Sequence, residues 1–219
     1  MLIALTVVCH LLGHSQFNAN ASLALIHRVI PDQAVSFVVE ELPARESQDV
    51  FEIESRNNKI VLRGNNGVAV ASALYYYLTH FCHCQITWNG TNLHIPKVLP
   101  SLSKKVHQVT PYQYRYYLNY CTFNYSMSWW DWNRWEMEID WMALHGINMP
   151  LAVTGEEFTW LTVYREMGFT DKDLQSFFCG PAYFSWFWMG NLDGWGGPLP
   201  ISWMKNHMLL QQKIVQRER

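Results

Sequence analysis

Apolar and polar positions alternate along several short stretches of the first hundred residues, as is typical of strands with one buried face. Paired stretches flank Arg56-Asn57-Asn58 and also Asn89-Gly90, and each pair predicts a hairpin because these residues favour tight turns. The predicted strands cover residues 33–40, 51–55, 59–63, 85–88 and 93–95.

A helical period replaces the alternation between Val68 and Phe81, where apolar residues recur at intervals of three and four. A helix of this kind has an apolar face that can cover a sheet. The sequence therefore predicts a small α/β domain over residues 22–100, in which antiparallel strands carry one covering helix. The polar, proline-bounded residues 101–113 are interpreted as a linker.

The second half of the chain opens with residues 114–121, which are β-prone on both faces, as in a strand buried on two sides. Ser128, with Asp131 three residues later, resembles a helix N-cap with its acidic partner, and the helical pattern continues to Leu144. A second buried strand is predicted at 147–153. Strand, helix and strand in this order predict a βαβ unit with parallel strands.

Two further helices are predicted from the spacing of apolar residues. The first covers 157–167, and the second runs from Ser202 to the end of the chain. Between them lies an irregular segment, 180–200, which is rich in glycine and proline. The second half is therefore predicted to be dominated by helices around a short parallel sheet.

Three acidic residues are candidates for acid–base chemistry. Glu156 and Glu157 follow the carboxyl end of the second predicted strand, where α/β proteins place their active sites. The alternative is that both occupy the first turn of a helix, where carboxylates stabilise the positive end of the helix dipole. Glu138 is interpreted as a flank charge that pairs with Arg134 four residues earlier, or as the acidic residue of its helix that turns inward.

Tryptophan is concentrated in one part of the chain: ten of the eleven tryptophans lie between Trp129 and Trp203. Two interpretations stay open at this point. The indole rings either build an aromatic core or line a surface that stacks on a flat, partly apolar ligand such as a sugar ring. The first half, with only Trp88, shows no comparable concentration.

The charge balance argues against nucleic acid and anionic membranes as partners. Sixteen basic residues stand against eighteen acidic ones, and the basic residues are not interleaved with the aromatic ones. Nor does the chain contain an apolar run of the roughly 18 residues that a membrane span needs. No phosphate-binding loop or Gly-x-Ser-x-Gly motif is present, so no cofactor is expected.

A cluster of histidine and cysteine residues suggests a zinc site, but its spacing does not support one. His80, Cys82, His83 and Cys84 have no second pair downstream at a zinc-ligand spacing. The favoured interpretation is therefore that the cysteines belong to the core and that no metal is bound.

The first 21 residues resemble a signal peptide. Residues 2–12 have the length of an apolar signal region, and Ala19-Asn20-Ala21 offers small residues for cleavage. A secretory route also fits Asn89, which heads a glycosylation sequon on a predicted turn. Asn124 heads a second sequon, whose aromatic neighbours predict a buried site that escapes modification.

Several motifs of the second half resemble the family of lysosomal α-N-acetylglucosaminidases. They occur in the same order and spacing, and the resemblance covers roughly residues 30–219, with the first half matching more loosely. The motifs are Tyr114 to Thr122, Trp129 to Trp132, Trp135 to Leu144, Gly146 to Asn148, Thr154 to Glu157, Gly180 to Ala182, Trp186, Met189 to Asn191 and Gly197 to Pro200.

The resemblance implies a small α/β N-terminal domain followed, over residues 114–219, by the first units of a (β/α)₈ barrel. It implies removal of terminal α-linked N-acetylglucosamine from heparan sulfate, with retention of configuration and two glutamates. The implied location is the lysosome, or outside the cell, and oligomerisation of the full-length protein stays open.

The resemblance also implies which residues line the sugar pocket. These are Asn119, Cys121 and Tyr125 after the first barrel strand, joined by Trp186 and Met189 from the irregular segment. Each residue type suits a sugar: an amide binds hydroxyls, an indole stacks on the ring, and sulfur tolerates the N-acetyl methyl group.

The resemblance does not place the catalytic glutamates within this sequence. A complete barrel takes about 250 residues, and the family's two glutamates are expected beyond Arg219, so no catalytic role is transferred to Glu138, Glu156 or Glu157. Glu156 stands where the family usually has glutamine. We therefore expect an inactive N-terminal portion of a glycosidase. The alternative is a non-catalytic, secreted module that binds carbohydrate through its aromatic residues.

Overall fold

The computed structural model describes residues 17–218. Residues 1–16 of the predicted signal peptide lie outside this range, and the predicted cleavage site at Ala21 lies in the first turn of helix α1. The helices are α1 (Ala19–Val29), α2 (Gly67–His80), α3 (Tyr120–Ser126), α4 (Trp132–Leu144), α5 (Glu156–Glu166), α6 (Asp171–Phe177), α7 (Phe184–Trp188) and α8 (Ile201–Glu218). The strands are β1 (Phe37–Glu41), β2 (Val50–Arg56), β3 (Lys59–Gly64), β4 (Gln85–Thr87), β5 (Gly90–Asn92), β6 (Val106–Val109), β7 (Tyr116–Tyr117) and β8 (Met149–Pro150).

The first sheet has the strand order β1-β3-β2-β6. The predicted hairpin β2–β3 is confirmed: the strands are antiparallel, and Asn57 and Asn58 in its turn both have positive φ. The expectation of a purely antiparallel sheet is wrong, because β1 pairs with β3 in parallel. The chain passes from β1 to β2 by a loop, and β3 then folds back between them, which gives β1 and β3 the same direction.

The segment predicted as a linker, 101–113, contributes the edge strand of this sheet. Val106–Val109 forms β6 and pairs antiparallel with β2. Its side chains are half-buried or exposed, which explains why its sequence looks polar. The first sheet therefore reaches to the start of the second half of the chain.

Helix α2 confirms the helix predicted at 68–81 and is buried on more than one side. Val70, Leu74 and Leu78 are at most 1% exposed, and so are Ala69 and Ala73. The helix packs against β2 and β3, against α1, and against α4 of the second half. The first core therefore has α1 as well as α2 as covering helices, where the sequence predicted one.

The second predicted hairpin, around Asn89-Gly90, is confirmed, but its strands pair in a different register from the predicted one. Strands β4 and β5 pair Thr87 with Gly90, so the turn consists of Trp88 and Asn89 and the second strand begins at Gly90 rather than at Leu93. The Thr87 hydroxyl donates a hydrogen bond to the Gly90 carbonyl at 2.8 Å, which closes this tighter loop.

The predicted βαβ unit is confirmed, with strands shorter than expected. Strands β7 and β8 are parallel, and α4 lies between them in sequence. The first strand ends at Tyr117 and not at Cys121, because Leu118 has a φ of 86° and Asn119 then caps helix α3. Apolar residues that suit a strand therefore enter a helix instead.

Helix α4 begins three residues later than the sequence suggests. Its N-cap is Asp131, whose side chain accepts a hydrogen bond from the Arg134 backbone N–H at 3.0 Å. Ser128, the predicted N-cap, is fully buried, and its hydroxyl accepts a hydrogen bond from Asn124. Trp132, Trp135, Ile139 and Met142 recur at helical spacing and predict one apolar stripe; the last three are buried, whereas Trp132 is half-buried.

The remaining helices enclose a second core. Helix α5 packs against α8, and α8 packs against α4. Gly155, with a φ of 77°, precedes α5, and a Cβ atom there would lie 2.8 Å from the His207 carbonyl group. Only glycine lets the two helices approach so closely. Between residues 17 and 218, no helix has the length and apolar character needed to cross a membrane.

We expect truncation of Leu74 to destabilise the first domain strongly. Leu74→Ala removes a fully buried side chain and leaves a cavity between sheet and helices, which costs about 2–5 kcal/mol. Urea unfolding followed by circular dichroism measures the change. Leu209→Ala is the matched control, since Leu209 lies in helix α8 and is 55% exposed; its effect stays within about 0.5 kcal/mol. Equal losses in both variants would contradict the assigned core.

Candidate functional site

The predicted sugar-binding residues of the first barrel unit lie on helix α3 and its N-cap, at the carboxyl end of β7. Asn119 caps the helix, and its Oδ1 atom accepts hydrogen bonds from the Thr122 backbone N–H and hydroxyl, both at 3.0 Å. The Asn119 side chain is otherwise exposed. Cys121 is half-buried and Tyr125 is 76% exposed, one helical turn further on.

The other two predicted residues lie on helix α7, which packs against α3. The indole of Trp186 meets the ring of Tyr125 edge-on, with 6.0 Å between the ring centroids. Met189 follows as the C-cap of α7 and is 41% exposed. The structure therefore brings Tyr125 and Trp186 into direct contact, and the binding of sugar by all five residues stays a prediction.

Hydrogen bonds from Asn124 hold α3 against α7. Its Nδ2 atom donates to the Pro181 carbonyl at 2.8 Å, and its Oδ1 atom accepts from the Ser185 backbone N–H. The Ser185 hydroxyl in turn donates to the Tyr120 carbonyl. Because a glycan on Asn124 would have to replace the bond to Pro181, the structure supports the prediction that this sequon is unsuited to modification.

Glu156 lies on the same end of the sheet, after β8. Burial raises the pKa of its carboxyl group, while hydrogen bonds from Trp160 and Tyr120 act in the opposite direction. The Trp160 Nε1 atom donates to Glu156 at 3.4 Å. Tyr120, which the sequence did not single out, therefore lies close enough to influence Glu156, although its place beside Asn119 was an available signal.

Glu157 points away from this face and into the contact between α5 and α8. Its carboxyl group is fully buried, and burial raises its pKa to about 8. His207 lies close by: its Nδ1 atom is 3.9 Å from Oε1, and burial lowers its pKa to about 4. The interpretation of Glu157 as a helix first-turn residue is confirmed.

Glu138 turns inward and is 1% exposed. Its Oε1 atom accepts hydrogen bonds from the Trp88 indole at 3.0 Å and from the Tyr117 hydroxyl at 2.8 Å. The predicted pair with Arg134 is also present, with 3.0 Å between Nη1 and Oε2. Burial and the neighbouring Glu138 together raise the pKa of Tyr117 far above its ordinary value. Glu138 is thus enclosed by protein groups and offers no surface to a substrate.

The histidine and cysteine cluster belongs to the first core. Cys82 and Cys84 are 5% and 3% exposed, and burial raises the pKa of Cys82 to about 11. His80 is exposed and stacks on Tyr76, with 3.9 Å between the ring centroids. His83, also exposed, has a positive φ that turns the chain between the cysteines.

The tryptophans divide between core and surface. Trp135 and Trp188 are buried, whereas Trp129 is 65% exposed and meets Trp203 edge-on, with 5.1 Å between their centroids. Half-buried Trp132 carries the Lys213 ammonium 4.5 Å from its ring centre. Trp135 is buried within helix α4, whereas Trp129 precedes this helix and lies on the surface.

A cavity of about 580 Å³ lies between α1, α4, β8 and the end of α8. Three of its charged lining residues pair with one another: Asp140 accepts hydrogen bonds from Arg28 at 2.7 and 2.8 Å and lies 3.2 Å from Arg217. None of the five predicted sugar-binding residues lines this cavity.

Solved structures that match this fold include a glycoside hydrolase. The family 89 glycoside hydrolase from Clostridium perfringens, in complex with 2-acetamido-1,2-dideoxynojirmycin, matches with a TM-score of 0.88 and 38% identity. The match covers 91% of this chain and 23% of that one. Its complexes with PUGNAc and with its substrate GlcNAc-alpha-1,4-galactose match equally well. The class is therefore that of a glycoside hydrolase.

The family follows from the sequence. Residues 20–101 match the alpha-N-acetylglucosaminidase (NAGLU) N-terminal domain, and residues 115–219 match the tim-barrel domain of the same family. Human alpha-N-acetylglucosaminidase is 42% identical over an alignment of 212 residues that covers 94% of this chain and 28% of the human protein. The chain belongs to the alpha-N-acetylglucosaminidase family and corresponds to its N-terminal portion.

We expect the protonation of the buried Glu157 to make the free energy of unfolding depend on pH. Its pKa is raised from 4.5 to about 8, so the folded state keeps a proton that the unfolded chain releases. The resulting stabilisation is complete below about pH 4.5 and is lost as the pH rises to about 8. Glu157→Gln removes this loss, so urea unfolding between these pH values shows a smaller decline, by on the order of a few kcal/mol.

His207→Gln is the matched control, because the titration of His207 changes stability with pH in the opposite direction. The lowered pKa of His207 removes stability as the pH falls from about 6.5 to about 4. This variant should therefore flatten the acidic side of the profile and leave the decline toward pH 8 in place. An unchanged decline in Glu157→Gln would contradict the assignment.

Proposed function

We propose that this chain is the N-terminal part of a glycosidase that removes terminal α-linked N-acetylglucosamine from heparan sulfate with retention of configuration. The observation that supports this best is the contact between the exposed Tyr125 and the half-buried Trp186 at the carboxyl end of β7, where α/β barrels bind substrate. The related clostridial enzyme was solved with a sugar substrate and with two glutamates replaced by glutamine, in line with a mechanism that uses two carboxyl groups.

In the proposed pocket, Asn119 donates hydrogen bonds to sugar hydroxyls through its free amide group. Tyr125 and Trp186 form one wall, and Trp186 stacks on the sugar ring. Cys121 and Met189 contact the N-acetyl methyl group, where a polarisable sulfur atom packs well. This segment supplies binding groups on one side of the sugar.

The catalytic pair is proposed to lie outside this segment, which is therefore inactive alone. A retaining mechanism needs two carboxyl groups about 5 Å apart across the scissile bond. Glu138 and Glu157 are buried against other protein groups and cannot face a substrate. Glu156 is half-buried, and its carboxyl group accepts a hydrogen bond from Trp160.

The proposed route is secretory, ending in the lysosome or outside the cell. The apolar N-terminal residues and the Asn89 sequon support it. Asn89 is exposed in the turn between β4 and β5, which leaves its amide accessible to a glycosyltransferase.

We expect the chain to bind N-acetylglucosamine weakly, with a dissociation constant on the order of millimolar, and to show no turnover of an aryl α-N-acetylglucosaminide. Saturation-transfer NMR measures the binding. Tyr125→Ala should abolish the signal of the N-acetyl methyl group. Tyr114→Ala is the matched control, since Tyr114 is 68% exposed near the opposite end of β7, and should leave the signal unchanged.

The outcomes separate the alternatives. Turnover above background would overturn the proposed inactivity of this segment. Binding tighter by about a hundredfold, without turnover, would favour the non-catalytic binding module instead. Equal signals for galactose and N-acetylglucosamine would contradict the proposed pocket.

A second prediction concerns glycosylation. Expressed in eukaryotic cells through a secretory route and cleaved after Ala21, which removes the Asn20-Ala21-Ser22 sequon, the chain should carry one N-glycan, which peptide N-glycosidase removes with a mobility shift. Asn89→Gln should abolish this shift because its side chain is exposed. Asn124→Gln should retain it, since Asn124 is engaged with Pro181 and Ser185. A shift that survives in Asn89→Gln would contradict the assignment.

A further inference from the structure

Glu138 lies where three separate elements meet. Helix α4 carries it, the β4–β5 hairpin of the first domain reaches it through Trp88, and strand β7 reaches it through Tyr117. Both donors bond to the same oxygen atom, Oε1. The other oxygen lies 3.0 Å from Arg134 as an ion contact. Arg134 also stacks on Trp130, 3.9 Å from the ring centre, and lies 5.6 Å from that of Trp88.

The Glu138 carboxylate and its hydrogen-bond donors stabilise each other. Burying an ionised group is unfavourable unless hydrogen bonds and an opposite charge compensate it. Removing it would leave the Tyr117 hydroxyl without this acceptor in a half-buried position, and would release the indole of Trp88, which is 39% exposed. The network is therefore held together at one atom.

Strand β7 depends on this bond because its sheet pairing is short. Only Tyr116 and Tyr117 pair with β8, and a two-residue ladder fixes a strand weakly. Immediately after Tyr117, Leu118 takes a φ of 86° and Asn119 begins the cap of α3. The position of the Tyr117 side chain thus sets where the proposed sugar-binding helix begins.

We propose that Glu138 is a positioning residue, which fixes the carboxyl end of β7, and with it Asn119 and α3, and clamps the β4–β5 hairpin of the first domain onto the barrel. This role deepens the proposed function and rests on it for its link to sugar binding. Glu138 does not touch the substrate, because it is 1% exposed.

Hydrogen–deuterium exchange of the whole chain, measured by mass spectrometry without sugar, tests the proposal. Glu138→Ala should speed exchange about tenfold or more in two regions, 85–92 and 117–126, while the β2–β3 hairpin keeps its protection. Glu138→Gln keeps an acceptor oxygen for both donors and should stay within about threefold of the original protein in both regions.

Asp140→Asn is the matched control for a merely structural effect. Asp140 lies two residues further along the same helix, is 8% exposed, and pairs with Arg28 and Arg217 instead of with β7 or the hairpin. Its loss should lower overall stability without selective exchange in 85–92 or 117–126. The same regional pattern in Asp140→Asn would overturn the positioning role.

Variants that lack one hydrogen-bond donor test the hairpin and β7 separately. They also provide a test if Glu138→Ala does not fold. Trp88→Phe should loosen only 85–92, and Tyr117→Phe should loosen only 117–126, because each removes one of the two hydrogen bonds. Uniform exchange changes in both variants would overturn the proposal. A correct exchange pattern together with absent sugar binding by the original protein would contradict the proposed function alone.

Discussion

Helix α2 is buried on several sides, and elements from both halves of the chain pack against it. Its small and apolar residues include Ala69, Ala73 and Leu74, each fully buried. Strands β2 and β3 cover one side, and helices α1 and α4 cover others. Since α4 belongs to the barrel segment, separating the two halves would expose this surface to water, at about 25 cal/mol per Å² of apolar area. The two halves are therefore joined by a shared core and not only by a connecting chain.

Polar contacts give this apolar junction its geometry. Apolar packing is strong but has little directional preference, whereas hydrogen bonds to a buried carboxylate require defined distances and angles. Helix α4 supplies two such carboxylates. Glu138 faces the hairpin and β7, while Asp140 faces Arg28 of α1 and Arg217 of α8. Each links an element of the first domain to the barrel segment. Both carboxylates thus orient the junction that α2 stabilises.

Local patterns predicted the elements well and their pairing less well. The β2–β3 hairpin, helix α2 and the parallel β7–β8 unit follow from periodicity and turn residues within a short window of sequence. The parallel pairing of β1 and the addition of β6 depend on partners far along the chain, so the local pattern carries no signal for them. Likewise, β7 ended early because a positive φ at Leu118 and the Asn119 cap overrode a β-prone composition.

The sequence by itself determined the family, the two-part organisation and the residue types available for sugar binding, because motif order and spacing are properties of the chain. Only the tertiary structure decided the roles of the three acidic residues. Glu157 is enclosed between α5 and α8, Glu138 is bonded across the junction, and Glu156 stays half-buried at the end of β8. The physical reason is that the chemistry of a carboxyl group depends on its burial and its partners. Those partners, such as Trp88 and His207, lie about 50 residues away along the chain.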